Sequence, residues 1–112
     1  MCEDVDIDQA VKGAMAAKFQ TTGQDCLAAN RIYVHHDIFD KFVKQFTKAV
    51  SALKVGNGMD LGTEMGPLMN AGAVKNALNR SKVPSARGFN CLLVGIFTRL
   101  VICFFNPPYW RQ

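Results

Sequence analysis

The sequence predicts an α/β fold: helix, cysteine turn, strand, amphipathic helix, loop and short helix, then an irregular apolar tail. Three observations carry this expectation. Apolar and small residues recur at helical spacing up to Phe19, Ile32 to Val34 are strong strand formers, and an apolar stripe runs from Ile38 to Leu53. With 112 residues and 49% hydrophobic content, the chain has material for one modest core, which excludes a mainly disordered polypeptide.

The first helix is prepared by Asp4, Asp6 and Asp8, any of which can cap its start and complement its positive end. Ile7, Ala10, Val11, Ala14, Met15 and Ala17 then line one face, and their small side chains suit close packing. Gly23 interrupts that pattern. The run Cys26 to Asn30 leads into the short strand Ile32, Tyr33, Val34. Asp37 is expected to cap the second helix, in which Ile38, Phe39, Phe42, Val43, Phe46, Ala49, Val50 and Leu53 face inward while Asp40, Lys41, Lys44, Gln45 and Lys48 stay outside. Phe39, Phe42 and Phe46 are read as core. "VGNG", Val55 to Gly58, supplies left-handed turn residues to end that helix, Met59 to Pro67 reads as a loop, and Ala71 to Leu78 as a third helix.

After Arg80 the character changes. Residues 1–80 hold nine basic and nine acidic residues, whereas 81–112 hold Lys82, Arg87, Arg99 and Arg111 and no acid, so the net charge of +4 lies wholly in the tail. These cations are scattered among apolar residues, which argues against a nucleic-acid surface. The run Phe89 to Phe105, interrupted by Asn90 and Arg99, falls short of the about 20 apolar residues a membrane span needs. Cys2, Cys26, Cys91 and Cys103 show neither CxxC nor metal-ligand spacing, and no basic-then-apolar leader opens the chain, which fits a reducing, cytoplasmic compartment. His35 and His36 are adjacent, so a regular element would point them apart, and no metal site is expected. A glycine fingerprint of a nucleotide fold is also absent.

Cys26 admits two readings. Free cysteines are commonly buried and inert. Its position after Gly23 and Gln24 and before small residues instead suits a nucleophile, if a helical turn follows and aims unpaired N–H groups at the sulfur. "FQTTGQDCLAAN", Phe19 to Asn30, resembles the active-site cysteine signature of the NAD(P)-dependent aldehyde dehydrogenases, with Phe19, Gly23, Gln24, Cys26, Leu27, Ala28 and Asn30 in register. The resemblance covers roughly residues 3–78, and "TGQDCLAANRIYV" and "LKVGNG" followed by "GPL" are most similar to succinate-semialdehyde dehydrogenases.

That resemblance implies a reaction in which the Cys26 thiolate attacks an aldehyde. The thiohemiacetal oxyanion would be held by the Cys26 N–H and a side-chain amide, hydride would pass to NAD or NADP, and a glutamate-activated water would release the acid. Gln20 stands where succinate-semialdehyde-specific members carry an arginine, so Gln20 is the candidate substrate-binding residue and the aldehyde is open. Ala28 stands where many relatives carry a second cysteine. Only 25 residues precede Cys26, so the family's nucleotide domain and general base have no counterpart. The resemblance thus implies that residues 1–80 are part of a catalytic domain that binds no cofactor and is inactive alone. Residues 81–112 are expected to be a non-family tail, disordered or out of frame. The alternative is a non-catalytic piece that assembles with itself or with full-length family subunits.

Overall fold

In the computed structural model, which describes residues 1–81, 89–94 and 101–105, helix α1 spans Ile7–Phe19. Of the three candidate aspartates, Asp6 is the cap: its side chain accepts the Gln9 N–H at 2.8 Å, and Asp8 adds negative charge to the first turn. Asp6→Ala should therefore lower stability by about 1 kcal/mol, read as a shift in the denaturant midpoint. Val11 and Ala14 are the buried residues of α1. A short 3-10 helix, Gln20–Gly23, follows directly.

Helix α2 spans His36–Ser51. Its cap is His35, whose side chain accepts the Asp37 N–H, so the expected cap Asp37 instead sits in the first turn. The apolar stripe behaves as the spacing predicts: Ile38, Phe42, Phe46 and Val50 are buried, and Phe39 is half-buried. Phe42 has no exposed surface, its ring stacks on Phe46 at 5.3 Å, and Phe46 lies 6.1 Å from Phe19 at the end of α1. These aromatic rings pin the two helices together.

The strand expected at Ile32 to Val34 does not form. The segment is irregular, and among the described residues its main chain pairs with Met1: Met1 donates to the Tyr33 carbonyl at 2.8 Å, and the His35 N–H donates to the Met1 carbonyl at 3.1 Å. These two bonds have the slant of a parallel ladder, but a ladder one residue long is not a strand. Strand propensity expresses fit to a pleated, half-covered surface, and the described residues supply no such surface beside Tyr33.

The helix also ends before "VGNG", with Ala52 as its right-handed cap, and the left-handed glycine of the following loop is Gly62, at φ 85°. Glu64 closes that loop: its carboxylate accepts the Lys54 N–H at 3.0 Å, while the Lys54 carbonyl accepts the Glu64 N–H at 2.8 Å. An isolated parallel bridge joins Val55 to Met65, which is buried.

The chain divides into two units, Met1–Gly66 and Pro67–Gln112, where the sequence suggested a break at residue 80. The second unit contains helix α3, Ala71–Ser81, close to the predicted third helix, and strands β1 (Phe89–Val94) and β2 (Val101–Phe105). The two strands pair antiparallel with an irregularity between Cys91 and Leu93. The tail is thus not irregular throughout. Its strands escaped the sequence reading because a continuous apolar run shows no alternation. The basic residues Lys82, Arg87, Arg99 and Arg111 lie outside the described residues. Among the described residues no helix is long and apolar enough to cross a membrane.

Candidate functional site

The turn carrying Cys26 is built by Asp25. Its side chain accepts the Leu27 N–H at 3.0 Å and its carbonyl accepts the Ala28 N–H at 3.1 Å, so residues 25–28 fold back on one aspartate. The turn is docked on α1, because the Ala29 N–H donates to the Ala17 carbonyl at 2.9 Å, satisfying one of the carbonyls that a helix end leaves unpaired. Lys18 reinforces the junction through a 3.4 Å bond to the Asn30 side chain. Ala28 is buried beneath the turn, while Leu27 projects outward with 87% of its surface exposed.

Cys26 is therefore presented on a fixed turn, with a free and exposed thiol. The buried reading of this cysteine is corrected. So is the expected helical turn after it: residues 26–28 are turn and bend, so the row of N–H donors that a helix start would aim at the sulfur is absent. Among the described residues none accepts a hydrogen bond from the Cys26 N–H itself. Four residues earlier in the chain, Thr22 adopts φ 59°, a conformation that a β-branched residue rarely takes and that marks local backbone strain.

Gln20 is exposed at the end of α1 and lines an open depression of about 340 Å³ with Gly13, Ala16, Ala17, Asp25, Leu27 and Ala28. The structure thus brings Gln20 beside the cysteine turn, although Cys26 does not itself line the depression. The sequence reading missed Asp25. An aspartate whose side chain accepts an N–H two residues on is a recognisable turn former, and that pattern was available.

The chain's two glutamates have other neighbours: Glu64 accepts the Lys54 N–H, and Glu3 lies 3.8 Å from the His35 ring. The starts of α1 and α2 carry Asp6, Asp8 and Asp37, whose negative charge opposes a pyrophosphate where a nucleotide fold leaves its N–H groups open.

The adjacent histidines do not diverge. His35 and His36 have ring centroids 4.5 Å apart, and both face the Asp37 carboxylate. They straddle the step from extended backbone at His35 to helix at His36, so the alternation of a regular element does not apply.

Residues 1–105 match the aldehyde dehydrogenase family, a match that runs through α3 and both strands. A mitochondrial succinate-semialdehyde dehydrogenase of Oryza sativa subsp. japonica is 44% identical over 105 residues, covering 94% of this chain and 20% of its own length. A non-phosphorylating aspartate-semialdehyde dehydrogenase of Halomonas elongata is 54% identical over 74 residues, covering 66% and 15%. Among solved structures, a succinate-semialdehyde dehydrogenase from Burkholderia pseudomallei superposes with a TM-score of 0.86 at 34% identity, over 97% of this chain and 24% of that one. The chain spans 15–20% of the length of these two curated relatives.

Proposed function

The chain belongs to the aldehyde dehydrogenase family, and on that premise we propose that it contributes the nucleophilic turn of an aldehyde-oxidising enzyme. The observation that carries this reading is the exposed, free Cys26 thiol on a turn fixed by Asp25 and docked on α1. The thiolate sulfur bonds to the aldehyde carbon as the carbonyl π pair moves to oxygen. The Cys26 N–H, uncommitted among the described residues, donates to that oxygen, which then takes a proton from solvent. The overall reaction is oxidation of the aldehyde to a carboxylic acid with NAD or NADP, which supplies hydride acceptance when bound. The steps assigned to this chain are those of Cys26 and the turn that holds it.

Succinate semialdehyde is the substrate we favour, with Gln20 beside its distal end. A glutamine can donate a hydrogen bond to a carboxylate but brings no charge. The test uses succinate semialdehyde labelled with 13C at the aldehyde carbon. The hemithioacetal resonance should disappear in Cys26→Ser and persist in Cys2→Ser, and the reverse pattern would move the nucleophile elsewhere. Gln20→Arg should strengthen this adduct relative to that of an uncharged aldehyde by a factor of up to about 5, the size of an exposed ion pair. An equal effect on both aldehydes would remove Gln20 from substrate binding.

A second reading, assembly with itself or with full-length family subunits, is favoured by the exposed apolar side chains Met59, Leu61 and Met69. Immobilised chain should then retain an intact family homologue, and failure to retain it would dismiss this reading.

A further inference from the structure

We infer that His35, His36 and Asp37 form a binding site for a divalent transition-metal ion, separate from the cysteine turn. One ligand atom from each lies within 4.8 Å of the others. The His36 Nε2 is 2.7 Å from Asp37 Oδ1 and the His35 Nδ1 is 3.5 Å from Asp37 Oδ2. Metal–ligand bonds of about 2.0–2.2 Å put neighbouring ligand atoms roughly 3.0–3.5 Å apart, so the two His–Asp spacings lie near this range and the set as a whole, within 4.8 Å, closes on an ion by side-chain rotation.

The Asp37 N–H decides which nitrogen of His35 binds. Nδ1 accepts the Asp37 N–H at 3.5 Å, so its lone pair faces the cluster, and the other ring nitrogen, Nε2, faces Glu3 Oε2 at 3.8 Å. At 3.8 Å the Glu3 carboxylate is beyond hydrogen-bond distance of Nε2, so it contributes negative charge beside the ring and no orienting bond. The 3.5 Å bond to the Asp37 N–H is long, so an ion displaces little by taking that lone pair.

Charge is compatible as well. The start of α2 presents about half a positive charge, and the carboxylates of Asp37 and Glu3 together outweigh it. All of these side chains are at least partly exposed, which gives an ion access and leaves room for water to complete its coordination. Two imidazoles with one carboxylate suit cobalt, nickel, copper or zinc and disfavour magnesium or calcium, which prefer oxygen ligands throughout.

The experiment is a titration of the full chain with Co2+, following visible d–d absorption and the paramagnetically shifted imidazole N–H resonances. The expected result is saturable binding with two shifted imidazole signals and no thiolate-to-metal charge-transfer band. His36→Ala should abolish it. A thiolate charge-transfer band, or unchanged affinity in the His35→Ala/His36→Ala double variant, would overturn the site. The imidazole shifts are read on the unsubstituted chain, so the outcome does not depend on any variant folding.

Discussion

Phe42→Ala should destabilise the Met1–Gly66 unit by about 3–5 kcal/mol, the range for removing a fully buried aromatic ring. The side chain has no exposed surface, and it stacks on Phe46, which itself reaches Phe19 at the end of α1. Truncation therefore opens a cavity where the two helices join and removes the ring that stacks on Phe46 at 5.3 Å. At about 0.05–0.15 kcal/mol per residue, a unit of this size has roughly 3–10 kcal/mol in total, so the substitution removes much or all of it. Urea unfolding followed by circular dichroism at 222 nm gives the readout. Leu61→Ala is the control, because Leu61 is fully exposed and should change stability by less than about 0.5 kcal/mol. Equal effects of the two substitutions would mean that the apolar stripe of α2 is not the core.

The second large effect is kinetic. These 112 residues, mixed with NAD or NADP and a panel of aldehydes, should form almost no reduced nicotinamide even where Cys26 takes up aldehyde. Holding a hydride acceptor against the adduct contributes about 7–11 kcal/mol of barrier reduction, and Asp6, Asp8 and Asp37 oppose a pyrophosphate at the starts of α1 and α2. The two glutamates are otherwise placed: Glu3 faces His35 and Glu64 is committed to the Lys54 N–H. Absorbance at 340 nm reports the result. Robust turnover that vanishes in Cys26→Ala would show that these residues assemble a complete site, contrary to this expectation.

The helices were legible because their information is local. The 3.6-residue spacing of Ile38, Phe42, Phe46 and Val50 appears in the sequence and in the buried face alike, and Asp6 was among the caps proposed for α1. The cap of α2 was displaced by two residues because an imidazole nitrogen took the role assigned to the Asp37 carboxylate. What failed depended on partners distant in sequence. Ile32 to Val34 have strand-forming side chains, but a strand needs a neighbour, and the Met1 main chain supplies one rung of a ladder. The two tail strands erred in the opposite direction, since uninterrupted apolarity hides a period of two.

For the site, the residue types around Cys26 were readable and their geometry was not. The small residues after the cysteine suggested the beginning of a helix. Instead Asp25 captures the N–H groups of Leu27 and Ala28 and holds the segment as a turn. The convergence of His35 and His36 on Asp37 arises at a junction between two backbone conformations, which no single periodicity describes.

The most direct measurement compares the hemithioacetal equilibrium constant of Cys26 in two settings with the same 13C-labelled succinate semialdehyde. One is the full chain with Cys2, Cys91 and Cys103 changed to serine; the other is the isolated peptide spanning residues 19–31. A fixed N–H donor to the adduct oxygen is worth about 0.5–1.5 kcal/mol, so the folded chain should bind the aldehyde roughly two- to tenfold more tightly than the peptide. Equal constants, or tighter binding by the peptide, would contradict the claim that the Asp25-fixed turn equips Cys26 for carbonyl addition.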